Sequence, residues 1–93
     1  MTDLTVLREE IDGIDRELVA LLERRMDVAA GVAAYKKAHD LPVLDAGREA
    51  EKLAAIAALC RPDTAKLIPD IFAAIMAASR GYQRALLERE NDE

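Results

Sequence analysis

Residues 4–39, LTVLREEIDGIDRELVALLERRMDVAAGVAAYKKAH, decide the fold. With Leu4 as heptad position a, the a and d places fall on Leu4, Leu7, Ile11, Ile14, Leu18, Leu21, Arg25, Val28, Val32 and Tyr35, all apolar or aromatic except Arg25. No proline interrupts the repeat before Pro42, so the pattern predicts one helix from about Thr5 to about His39, capped at its start by Thr2, Asp3 or Thr5. Gly13 and Gly31 each weaken it by about 1 kcal/mol relative to Ala, too little to break it. At 1.5 Å per residue this helix is about 52 Å long, whereas a compact chain of this size is only about 32 Å across. The helix outruns its own domain. Its apolar seam then needs cover from outside the chain, and a second copy is the economical cover. The expectation is a homodimer of paired, interleaved long helices whose stability is inseparable from assembly.

Outward from that helix, Leu41-Pro42-Val43-Leu44 reads as extended chain and Asp45 as the N-cap of a second helix, about 46–60, with Leu53, Ile56, Ala57 and Cys60 on one stripe. Arg61-Pro62-Asp63-Thr64 ends it. A third helix runs to about Arg89, with Pro69 either in its first turn or at a kink after a leading turn from Thr64; its apolar face is Phe72, Ile75, Met76, Leu86 and Leu87. Glu90-Asn91-Asp92-Glu93 reads as a frayed tail. The fold class is all-α: one domain over residues 1–93 with three helices per chain, one of them very long, in an intertwined helical dimer.

Composition narrows the function. The chain has 93 residues, with 13 Lys+Arg against 18 Asp+Glu and a net charge of −5. Binding to nucleic acid or an anionic membrane draws on a surplus of cations, so neither partner is expected. The longest apolar run, Ile71 to Ala78, falls far short of the roughly 20 residues that cross a bilayer. No basic flank and apolar core open the chain as in a secretory signal. Cys60 is the single cysteine and His39 the single histidine, which excludes an internal disulfide and any zinc cluster and suits a cytoplasmic setting. Hydrophobic content of 52% with only 3% aromatics fits helices packed on helices.

Polar residues on apolar faces carry the chemistry. Arg25 lies on the seam, and Lys36, eleven residues on, lies only about 20° round the helix from it and about 16 Å along it. Either the two pair with internal carboxylates such as Glu49, or they converge on one small anion. Ser79 and Gln83, spaced i, i+4 on the face of Phe72, Ile75 and Met76, either bind each other and backbone or line a polar pocket. Asp45, Arg48 and Glu49 add a mixed-charge cluster at the start of the second helix. Three helices thus each direct polar groups inward, the pattern of a ligand pocket inside a bundle, with cations favouring a carboxylate-bearing substrate. Nothing in the sequence supplies a nucleophile–base pair, a metal site or a phosphate loop. His39 reads as a solvated or C-capping residue.

Over nearly its whole length the chain resembles the all-helical (AroQ-type) chorismate mutase family. The resemblance rests on Leu7-Arg8-Glu9-Glu10-Ile11-Asp12 with Ile14-Asp15, Leu21-Leu22-Glu23-Arg24-Arg25-Met26, Tyr35-Lys36-Lys37, Pro42-Val43-Leu44-Asp45 with Arg48-Glu49, and Ser79 to Gln83, in order. It implies a homodimer that converts chorismate to prephenate without cofactor or metal, by a pericyclic rearrangement. By similarity Arg8 and Arg25 bind carboxylate, Lys36 binds carboxylate and the ether oxygen, and Gln83 hydrogen-bonds the ether oxygen. Lys36, Gln83 and Arg25 are the expected catalytic set. Asp45 and Glu49 hold the ring hydroxyl, Ser79 supports a carboxylate, and Arg48 orients Glu49. Arg8 and Arg25 are about 25 Å apart along one helix, so if both serve one site, Arg8 comes from the other chain. Rival expectations are an isochorismate pyruvate lyase or an aminodeoxychorismate mutase on the same scaffold, or a non-catalytic helical dimerisation module.

Overall fold

A computed structural model describes residues 3–91, without the side chains of residues 90 and 91. Among the described residues all regular structure is helical: α1 (Leu4–Ala38), α2 (Ala46–Leu59) and α3 (Ile68–Asn91). Asp3 caps α1, its Oδ1 accepting from the Val6 amide at 3.0 Å; Thr2, another candidate cap, lies outside the described residues. The last helix continues to Asn91, past the Arg89 expected as its end, and Asp92 and Glu93 of the expected tail are outside the described residues.

The end of α1 aims everything that follows. His39 is the C-cap, and Asp40 takes the left-handed conformation, φ 55°. The Leu41 amide then reaches the Lys36 carbonyl at 2.8 Å and the Asp40 amide the Lys37 carbonyl at 3.3 Å. This is a Schellman closure with aspartate where glycine is usual. His39 Nδ1 donates to the Tyr35 carbonyl at 2.8 Å, and the two rings stack. Residues 61–68 form tight turns, with the Ala65 and Ile68 amides bonded to the Arg61 and Thr64 carbonyls. Pro69 follows as the second residue of α3, in its first turn, where a missing N–H leaves no bond unmade.

Helix α3 packs against both α1 and α2, and among the described residues no close backbone approach joins α1 to α2. The buried set is small: Ala29 and Ala33 on α1, Ile56 on α2, and Met76, Ser79 and Gln83 on α3. Small side chains at i, i+4 on α1 let α3 come close, so the face of α1 that its own chain covers is the alanine face. The apolar seam stays bare. Its nine apolar or aromatic positions are between 41% and 68% exposed.

The molecule is accordingly elongated, 57 × 29 × 14 Å, with a radius of gyration of 16.9 Å against about 12 Å for a compact chain of this length. It exposes 7317 Å², where a compact monomer of 10.2 kDa exposes about 5300 Å², a surplus of about 2000 Å². No described helix is long and apolar enough to cross a membrane.

Candidate active site

Where the three helices meet, a partly open cavity of about 360 Å³ forms, within the range of small-molecule sites. Arg25, Ala29, Val32 and Lys36 approach from α1, Asp45 and Val43 from the connecting loop, Arg48, Glu49 and Lys52 from α2, and Met76, Ser79, Arg80 and Gln83 from α3. The chain therefore gathers Arg25, Lys36, Asp45, Arg48, Glu49, Ser79 and Gln83 in one place. Arg8 is not among the lining residues; it is exposed, near the far end of α1.

Lys36 is fixed at both ends. Its carbonyl accepts the Leu41 amide in the Schellman closure, and its Nζ donates to the Val43 carbonyl at 2.7 Å. An ammonium carries three N–H bonds, so two are left to face the cavity. Arg25 is half-buried on the cavity wall and makes no hydrogen bond or ion pair among the described residues. Pairing of Arg25 or Lys36 with Glu49, one of the expectations from sequence, does not occur. Glu49 has another partner: Arg80 Nη1 donates to its Oε1, with the two side chains 24% and 25% exposed.

Arg80, rather than the Arg48 expected to orient Glu49, is the residue bonded to it among the described residues. Residue 48 precedes 49 on the same helix, about 100° round its axis, and its side chain is exposed; α3 presents Arg80 directly to α2. Lys52, one turn beyond Arg48, is a further cation that sequence reasoning passed over. On α2 it reads as an ordinary solvated charge, whereas in the fold it lines the cavity.

Asp45 caps α2, its Oδ1 accepting the Arg48 amide at 3.0 Å. That engages one oxygen and leaves the other for a ligand. On α3, Gln83 Nε2 donates to Ser79 Oγ at 3.1 Å, so the two polar groups both bind each other and line the cavity. Ser79, as acceptor in that bond, keeps its own O–H free to donate. Gln83 Oε1 is buried without a hydrogen-bond partner. An orphaned buried carbonyl oxygen costs about 1–3 kcal/mol, a cost that persists where a site is shaped for a polar guest.

The chemistry open to this cavity is positional and electrostatic. Cations and an amide converge on a small volume, where they can grip an anion and donate to an oxygen that gains charge.

Comparison with known proteins gives the chain a family. Residues 7–84 match the family model described as chorismate mutase type II. Curated relatives include a T-protein of Enterobacter agglomerans, 39% identical over 54 residues (58% of this chain, 14% of that protein), and a T-protein of Haemophilus influenzae, 40% identical over 55 residues (59% and 15%). A 4-amino-4-deoxychorismate mutase of Streptomyces venezuelae is 37% identical over 46 residues, 50% of this chain and 45% of that protein. The chain matches about one-seventh of the length of each T-protein and under half of the third relative. With the family model spanning most of its length and the cavity residues falling within the matched segment, the chain belongs to the chorismate mutase type II family.

Proposed function

We propose that this protein converts chorismate to prephenate, with no cofactor, in pockets completed by a second copy of the chain. One observation carries the reading: half-buried Arg25 and Lys36, neither paired with a carboxylate among the described residues, share a cavity of about 360 Å³ with a buried glutamine whose amide keeps an N–H beyond the one given to Ser79. Such a pocket suits a small dianion with a polar centre. The rearrangement is unimolecular, breaking an ether carbon–oxygen bond as a carbon–carbon bond forms, and no proton leaves or arrives. Catalysis then requires a compact reactive conformer and stabilisation of the ether oxygen as its bond stretches.

The residues divide these tasks. Arg25 and the partner chain's equivalent of Arg8 grip carboxylates, and Ser79 donates its free O–H to one of them. Lys36, oriented by Val43, offers one N–H to a carboxylate and another to the ether oxygen. Gln83 Nε2 has a second N–H beyond the one given to Ser79, and this meets the ether oxygen from the other side. Asp45 and Glu49 accept from the ring hydroxyl. The bare seam of α1, the surplus exposed area and the open side of the cavity all support a homodimer in which α1 of each chain supplies the missing arginine.

The test is loss of chorismate absorbance on adding purified protein, followed by acid conversion of the product to phenylpyruvate. Release of pyruvate would instead indicate a lyase. Lys36→Ala is expected to lower kcat by about 10² to 10³ while costing only about 1 kcal/mol of stability through the lost Val43 bond; near wild-type turnover in that variant would overturn the assignment. A second reading has a specific basis in the Streptomyces relative: the carboxylates of Asp45 and Glu49 can also accept from a ring amine, so 4-amino-4-deoxychorismate belongs in the same assay.

A further inference from the structure

We propose that Arg80 is a positioning residue that neutralises Glu49 and so tunes the cavity to a neutral hydroxyl, rather than a protonated amine, on the substrate ring. This rests on the rearrangement function proposed above. Arg80 reaches from α3 to α2 and donates to Glu49 Oε1, while Glu49 Oε2 has no partner among the described residues. Both side chains are mostly withdrawn from water, where a charge-assisted bond is stronger and less screened than on an open surface. Glu49 therefore keeps an acceptor oxygen for the ligand but offers little net charge.

The charge of the second carboxylate at that end is partly offset by a different device. Asp45 sits at the N-terminus of α2, with Oδ1 on the Arg48 amide, where the helix dipole offsets its charge. Arg48 and Lys52 from α2, and Arg25 and Lys36 from α1, add cations to the same cavity. A hydroxyl donor needs only an acceptor oxygen, which both carboxylates retain. A primary aliphatic amine is mostly protonated at neutral pH; it gains little attraction from a neutralised carboxylate and is repelled by Arg80 behind it. Taking away Arg80 leaves Glu49 as a bare carboxylate, the complement of an ammonium group.

The experiment compares kcat/KM for chorismate and for 4-amino-4-deoxychorismate in the wild-type protein and in Arg80→Gln, Arg80→Met and Arg80→Lys, with melting temperatures alongside. Wild type is expected to favour chorismate by at least about tenfold. Loss of one charge a few ångströms from the ring substituent lowers that ratio at least about tenfold in Arg80→Gln or Arg80→Met, while Arg80→Lys keeps it within about threefold. A purely structural arginine would reduce both substrates alike and leave the ratio unmoved; that result overturns the proposal. Equal use of both substrates by the wild type also overturns it, with no variant needed. Failure of the wild type to rearrange chorismate counts against the underlying function and is read separately, in the first arm.

Discussion

Gln83 shows what a single uncharged donor contributes. In the proposed reaction its amide donates to the ether oxygen at any pH, because an amide does not titrate in water's working range. Replacing it by glutamate keeps the shape and places a carboxyl at the same point, where only the protonated form donates. Gln83→Glu is therefore expected to lose at least about tenfold in kcat at neutral pH and to recover as pH falls through the carboxylate range, whereas the wild type shows no such acid gain. A pH–rate profile measures both, and an unshifted profile for the variant would remove Gln83 from the ether oxygen. Legibility differs among the cavity residues for a physical reason. Arg25, Ser79 and Gln83 interrupt apolar stripes and so stand out in the sequence as misplaced polarity. Arg80 does not: a charge adjacent to a buried face is what a solvated helix edge looks like. Only the packing of α3 on α2 brings it to Glu49.

At the scale of the elements, the connection between α1 and α2 matters more than its few residues suggest. Asp40 in the left-handed conformation turns the chain back, so that the Val43 carbonyl lies 2.7 Å from Lys36 Nζ. A β-branched residue resists that conformation by roughly 1–2 kcal/mol more than glycine. Asp40→Val is expected to lower stability by about that amount and to reduce turnover several-fold, because Lys36 loses its orienting carbonyl. Asp40→Gly retains the turn and wild-type turnover. Thermal melts and kcat for the pair check this, and equal kcat in both variants would separate the turn from the function of Lys36. The long apolar repeat announced α1, and Pro42 and Pro62 bracketed α2, because periodicity and missing N–H groups are local properties. The Schellman closure was invisible, since its usual marker is glycine and here aspartate takes the place. The covered face of α1 was equally hidden: Ala29 and Ala33 bear little hydrophobic signal, yet they are where α3 docks.

At the scale of the molecule, surface area and site composition both favour the proposed dimer. The surplus of about 2000 Å² per chain over a compact monomer, about 4000 Å² for a pair, falls within the roughly 2,000–5,000 Å² total that obligate dimer interfaces bury. The exposed seam runs the length of α1, from Leu4 to Tyr35, so a second α1 laid along it covers both ends at once. An antiparallel arrangement carries Arg8 of each chain toward the Arg25 end of the other, about 25 Å away along the helix. Two subunits that are each defective should then complement. In a mixed dimer of Arg8→Ala and Arg25→Ala chains, one pocket receives both intact arginines and the other receives neither. Each variant alone is expected to lose at least about 10²-fold in kcat/KM. Co-refolding them in equal amounts makes about half the dimers mixed, with one working pocket in each, so about a quarter of the wild-type activity returns. Two arginines acting within a single chain cannot produce that recovery, because no pocket in the mixture would hold both. Activity that stays at the level of the separate variants, once mass measurement with one variant isotopically labelled has shown that mixed dimers formed, would place Arg8 outside the site.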